Sequence, residues 1–187
     1  YQNGGSYYTD DSRASSLDDN VAMNAFRDVT RLYIDYGLEV HHDFVNRFRT
    51  GEMPIGIADY SMYNTLQVFA PEIRGLWGFA PVPGTPREDG SLDRSVIGGG
   101  TCAVIMEQSG HKEEAWRFLD WWTGEEIQTR YGREMEALMG PSARYPTANR
   151  EAFRALPWPV EDYAEISAQQ AHVRGIPQVP GGYFTTR

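Results

Sequence analysis

Residues 48–64 read FRTGEMPIGIADYSMYN, and the middle of this stretch decides the fold. Gly51 frees the chain, and residues 53–58 are a predicted strand. Pro54 stands at its start, where no ladder hydrogen bond is lost, and Ile55 and Ile57 supply alternating β-branched bulk. Asp59 is the predicted N-cap of the helix that follows. Its carboxylate would accept from the free N–H groups of the first turn, since Met62, Tyr63, Leu66 and Phe69 recur at helical spacing. A strand that ends directly in a helix N-terminus is where open α/β sheets hold their ligands. Asp59, Tyr60 and Tyr63 are therefore candidate binding residues, against the plainer alternative in which Asp59 only caps and Tyr63 only packs.

Upstream, residues 1–16 are rich in Gly, Ser, Asp and Tyr and predict a loop with a small hairpin over 7–13. Ser16 and Asp19 resemble a capping box, and Val21, Ala22, Ala25, Phe26, Val29, Leu32 and Tyr33 predict an amphipathic helix that Gly37 ends. A short helix over 43–49 presents Phe44 and Phe48 on one face. Downstream, Pro71 breaks the helix, and residues 76–82 predict a second strand, with no regular pairing beyond Val82 because Pro81, Pro83 and Pro86 follow closely. Asp89-Gly90 marks a turn. Gly98-Gly99-Gly100 forms a joint ahead of a third strand over 101–106. Helical spacing returns over 114–122, and Thr123-Gly-Glu-Glu126 is a predicted capping box for a helix to about Leu138, stopped by Gly140-Pro141. Two further helices, over 149–156 and 161–173, flank Pro157-Trp158-Pro159, and the tail from Ile176 is rich in Pro and Gly.

The 187 residues are 41% hydrophobic, enough to bury a core in one domain or two small ones. Seventeen basic against twenty-six acidic residues leave a net charge of −9 spread along the chain, which argues against nucleic acid and anionic membrane as partners. Cys102 is the only cysteine, so neither a disulfide framework nor a thiolate metal cluster is available. No run reaches the roughly twenty apolar residues of a membrane-spanning helix. The chain opens at YQNGG and closes at YFTTR, which gives the expectation of a piece of something longer.

Catalytic motifs are scarce. No Gly-x-Ser-x-Gly elbow, His-Glu-x-x-His pair or Walker loop is present, and the glycine run lacks the later glycine of a phosphate cradle. His41 and His42 are adjacent and point apart on either a helix or a strand, so no metal site is expected, and no cofactor. Glu52 and Asp59 can be written as a glycosidase carboxylate pair. What stands out is a binding set: Asp59, Tyr60 and Tyr63, the glycines 98–100, and the terminal aromatics Tyr183 and Phe184. Sugars use that mixture, an aromatic face against the C–H side of the ring with a carboxylate accepting from hydroxyls. A cationic ligand uses the same aromatic faces.

The order Phe-x-x-Gly-Glu-Met-Pro-Ile-Gly-Ile-Ala-Asp-Tyr at 48–60, Ala-Pro-Val-Pro-Gly at 80–84, Gly-Gly-Gly at 98–100 and Glu-Glu-Ala-Trp-Arg-Phe-Leu-Asp-Trp-Trp-Thr at 113–123 resembles the family 1 extracellular solute-binding proteins of ABC importers. This is the group that includes maltose-binding protein. The opening Tyr-Gln-Asn-Gly-Gly, Pro-Thr-Ala-Asn at 146–149 and Ile-Pro-Gln at 176–178 fall in the same order, so the resemblance covers nearly the whole chain.

The resemblance implies an α/β protein of the type II periplasmic-binding class, of which this chain is roughly the second half. Residues 1–97 and 144–187 would be most of the C-terminal lobe, and 98–143 a hinge with a strand-helix-helix segment of the N-terminal lobe. Hinges would fall at Gly98, Gly99 and Gly100 and at Ser142 and Ala143, and ligand contacts at Asp59, Tyr60, Ser61, Tyr63, Gly99 and Tyr183. Ser61 stands near the position of a stacking tryptophan in maltose-binding protein, which alters the maltodextrin platform. The implied function is that of the substrate-binding component of an importer, not an enzyme, taking a carbohydrate, an oligosaccharide first, in an interlobe cleft. ABC permease subunits would be its partners, and its place would be the extracellular face of the cytoplasmic membrane or the periplasm, with a lipoprotein anchor on the full-length protein. The competing readings are a glycoside-processing enzyme domain, a receptor for a non-sugar cationic solute, and a peptide or protein interaction domain. The apolar side of the helix over 114–122 also predicts a homodimer with Trp116 or Trp122 in its interface.

Overall fold

A computed structural model describes residues 1–177. They form two units: Asp43–Ala80 with Gly100–Ile166, called here the core unit, and Tyr1–His42 with Pro81–Gly99 and the described residues from Ser167 on, called the strand unit. The secondary structure is mixed. Among the described residues there are seven α-helices and two two-stranded sheets.

In the core unit, α2 (Phe44–Thr50) begins where the Asp43 carboxylate accepts from Asn46 N–H at 3.2 Å and ends at Gly51, whose φ of 79° is the left-handed conformation that glycine alone adopts freely. Next comes α3 (Met62–Phe69), which buries Tyr63 and Leu66. After α4 (Lys112–Thr123) and α5 (Glu125–Met139), α6 (Arg150–Ala155) starts at Asn149, whose side chain accepts from Ala152 N–H at 2.9 Å. The first part of α7 (Val160–Gln170) contributes Ile166. Among the described residues, the buried apolar ones, Tyr63, Leu66, Ala70, Ala152, Phe153, Leu156 and Ile166, all lie in this unit. Polar side chains tie the helices where apolar contact is thin. Gln128 donates to Trp122 O at 2.6 Å and accepts from Thr147 Oγ1 at 2.8 Å, and Asn149 Nδ2 donates to Thr123 O at 2.9 Å.

The strand unit is built differently. The first helix, α1 (Asn20–Ile34), is capped by Asp19, which accepts from Ala22 N–H at 2.7 Å, yet none of its residues is buried. Strands β1 (Thr85–Pro86) and β2 (Leu92–Asp93) pair antiparallel around the Asp89-Gly90 turn, and β3 (Val96–Ile97) pairs in parallel with β4 (Val173–Arg174). The centre of this unit is polar. Gln2 Nε2 donates to Pro83 O and Ser95 O, Gln169 Nε2 donates to Arg94 O, and buried Asp93 accepts from Ser95 N–H. The hydrogen bonds from Ser95 and the ion pair with Arg87 hold the Asp93 carboxyl well below the usual carboxylate range.

Three sequence expectations are corrected. The strands over 53–58, 76–82 and 101–106 are not formed, because an extended run becomes a strand only when another backbone completes its ladder, and none pairs with these among the described residues. Ile55 and Ile57 are 83% and 81% exposed in consequence. Asp59 is not the N-cap of α3. Ser61 occupies that position without a side-chain bond, and the helix opens through backbone turns, Met62 N–H to Asp59 O at 2.9 Å and Tyr63 N–H to Tyr60 O at 3.1 Å. Thr123 does not cap α5 either, since its hydroxyl donates to Leu119 O at 2.8 Å and Gly124 takes the cap position. Smaller differences follow the same logic. Pairing does continue past Val82 in β1, and Val173 leaves the helix to join β3. None of Gly98, Gly99 and Gly100 has a positive φ. Gly98 is required for close approach, because a Cβ there would stand 2.2 Å from Val173 Cγ1.

Candidate functional site

The candidate ligand residues Asp59, Tyr60, Ser61 and Tyr63 come together at the opening turn of α3. Asp59 and Ser61 are exposed, Tyr60 is half-buried and Tyr63 is buried at 7% exposure. Gly99 is exposed and belongs to the strand unit, and Tyr183 lies outside the described residues. Ser142 and Ala143, the second expected hinge, sit in a 3₁₀ turn (Pro141–Ala143) within the core unit.

An aromatic cluster stands behind this turn. Tyr63 packs on Trp77 at 5.6 Å, Phe79 at 6.3 Å and Trp158 at 5.2 Å between ring centroids. Trp77 and Phe79 meet it together because they are two residues apart on an extended chain, which turns both to one side even without a ladder. Tyr60 rests its ring edge-on against Phe153 at 6.0 Å and tilted against Trp158 at 6.2 Å. Burial pushes the Tyr60 phenol above its ordinary pKa, and nearby Tyr145 adds to the shift. The result is one partly open aromatic ring on a rigid aromatic wall, flanked by an exposed carboxylate and an exposed hydroxyl.

Arg144 is the charged member of the cluster and is 5% exposed. Its guanidinium donates to both carboxylate oxygens of Glu136, at 3.0 and 2.6 Å, and its Cζ lies 4.7 Å from the ring centroids of Tyr63 and of Trp158. Asn64 Nδ2 donates to the Arg144 carbonyl at 2.7 Å. Arg144 Nη1 and the indole N–H groups of Trp77 and Trp158 are buried with no hydrogen-bond partner among protein atoms. The rings around them offer only weak acceptor faces. Burial raises the pKa of Asp162 on α7, which Arg144 partly offsets.

Sequence reading missed Arg144, Trp158, Trp77 and Phe153 as members of this site. The signal for Trp158 was its position between Pro157 and Pro159, which stiffens the backbone that presents it. A shallow concavity of about 640 Å³ along α5 is a different kind of surface, where Arg130 pairs with Glu134 at 2.8 Å and Arg133 donates to Ala155 O. Among the described residues, no group of His, Cys, Asp and Glu side chains is arranged to hold a metal ion.

The family model of the bacterial extracellular solute-binding proteins matches residues 2–129. Neither a curated protein nor a solved structure matches the chain. The family match takes in Asp59, Tyr60, Ser61, Tyr63, Trp77 and Phe79, and ends before Arg144, Phe153 and Trp158. With the α3 turn inside the matched residues, and with well over half of the chain covered, the protein belongs to the bacterial extracellular solute-binding protein family.

Proposed function

We propose that the protein is the solute-binding component of an ABC importer and that its solute is a carbohydrate, an oligosaccharide first, held at the α3 turn. One observation carries this reading: Tyr60 is half-buried against an aromatic wall, between exposed Asp59 and Ser61. The ring supplies an apolar platform for the C–H face of a sugar, and the two flanking oxygens accept from and donate to its hydroxyls. In this reading Tyr63 acts from behind, as support, and Gly99 and Tyr183 remain proposed contacts. The architecture we assign is that of a type II binding-protein lobe with a segment of its partner lobe. In the full-length protein, a permease would receive the solute at the outer face of the membrane.

The alternatives fit less well. The faces of Tyr63 and Trp158 that suit a cation already hold the Arg144 guanidinium, which weighs against a cationic solute. Glu52 is exposed and lies 3.7 Å from Arg47 on open surface, without the enclosing cleft that a glycosidase carboxylate pair needs, so we read the protein as non-enzymatic. Calorimetry with neutral trisaccharides tests the proposal, with Tyr60→Ala as the control.

We propose the homodimer with Trp116, not Trp122, in its interface. Trp122 is half-buried, its ring 5.1 Å from that of Tyr131, while Trp116, Phe118 and Trp121 of α4 are 63%, 56% and 53% exposed. That apolar surface continues into a groove with Val104 and Met106. Light scattering is expected to show a dimer at high concentration that Trp116→Ser shifts toward monomer. A monomer throughout would remove this part of the proposal.

A further inference from the structure

Arg144 joins separate parts of the core unit through one side chain and one carbonyl. Its guanidinium meets Glu136 of α5, lies over Tyr63 of α3 and over Trp158, and its carbonyl is held by Asn64 at 2.7 Å. Trp158 in turn is one of the two rings against which Tyr60 rests. We infer that Arg144 is a positioning residue for the solute face: by fixing Trp158 against Tyr63 it fixes the wall behind Tyr60, and so sets which side of the Tyr60 ring is open. Its importance to binding rests on the reading of Tyr60 as the residue that meets solute.

The chemistry of the side chain explains why arginine stands there. A guanidinium is flat, so it can lie over ring faces while its edge keeps two bonds to one carboxylate. A lysine ammonium keeps the charge but not the fork. A methionine side chain fills much of the volume and keeps neither. A residue that acted by packing alone would therefore be replaced by methionine with little change at Tyr60. The groups that face Arg144 are Glu136, Tyr63 and Asp162, and Tyr60 has Tyr145 as its titrating neighbour.

The test needs no solute, so it separates failure of this inference from failure of the carbohydrate reading. 3-Fluorotyrosine is placed at position 60 of the whole chain, and its ¹⁹F resonance is followed through a pH titration in the parent, Arg144→Met, Arg144→Lys and Asn64→Ala proteins. In Arg144→Met the resonance is expected to move toward that of free 3-fluorotyrosine, and its ionisation to fall toward that of the free residue as the ring loses its buried wall. Arg144→Lys should lie between parent and methionine variant. Asn64→Ala removes only the hold on the Arg144 carbonyl and should give a smaller shift in the same direction. A folded Arg144→Met protein with an unchanged Tyr60 resonance and ionisation would overturn the inference. If that variant does not fold, an unchanged Tyr60 signal in Asn64→Ala would overturn it equally.

Discussion

Phe153→Ala is expected to lower the unfolding free energy by about 3–5 kcal/mol, among the largest losses that any single truncation in this chain produces. Phe153 is 3% exposed, and its ring meets Tyr60 at 6.0 Å, Trp158 at 5.6 Å and Tyr163 at 5.5 Å. Removing it takes away the transfer energy of a buried ring and leaves a cavity whose walls are themselves aromatic and stiff, so they cannot collapse cheaply. In a thermal melt the change should appear as a fall of roughly 10 °C for a chain of this size. Ile57→Ala is the matched control. Ile57 is 81% exposed, and its loss should stay within about 0.5 kcal/mol. Equal costs at the two positions would mean that residues 53–58 are buried as the sequence pattern first suggests, and that the core described above is misplaced.

The second large effect is at Arg144. Arg144→Met should cost about 3 kcal/mol, because it leaves the Glu136 carboxylate, whose side chain is 13% exposed, without the cation that offsets its burial. Glu136→Leu alone should be similarly harmful. The double replacement Arg144→Met with Glu136→Leu is expected to cost less than the two losses added, since no uncompensated charge then remains and only the ring contacts, about 1 kcal/mol each, are forgone. Urea unfolding of the four proteins measures the coupling. Strict additivity would mean that the Arg144–Glu136 pair contributes nothing as a pair, and that the aromatic faces alone hold Arg144 in place.

These two residues also show what the sequence makes legible. Helices are read well because their signals are local: Asp43 and Asn149 each cap the helix expected to follow, and Gly51 and Gly37 fall at the ends, although α1 is capped by Asp19 itself and not by Ser16 through the expected capping box. Strands are read poorly because alternation at Ile55 and Ile57 records what the chain can do when another backbone meets it, not whether one does. The turn that gathers Asp59, Tyr60 and Ser61 is legible as a candidate because it is contiguous. The supporting wall is not, because Arg144, Phe153 and Trp158 lie 80 or more positions from Tyr60 along the chain, and single-residue spacing carries no sign of contacts at that range. Arg144 was passed over for a further reason. A lone arginine reads as surface, and only the Glu136 carboxylate and two ring faces make its burial tolerable.

The openness of the α3 turn sets the scale of the proposed affinity. Asp59 and Ser61 are exposed, so a sugar at Tyr60 would keep one face in water, and the constant should be on the order of 1 mM, where the binding free energy is only about −4 kcal/mol. The most direct measurement is titration calorimetry of the whole chain with maltotriose, cellotriose and raffinose, repeated on Tyr60→Ala protein shown by circular dichroism to be folded. Carbohydrate binding at the α3 turn predicts saturable heat with at least one of the three, lost in Tyr60→Ala. No saturable heat with any of them, or binding that Tyr60→Ala leaves unchanged, would contradict it.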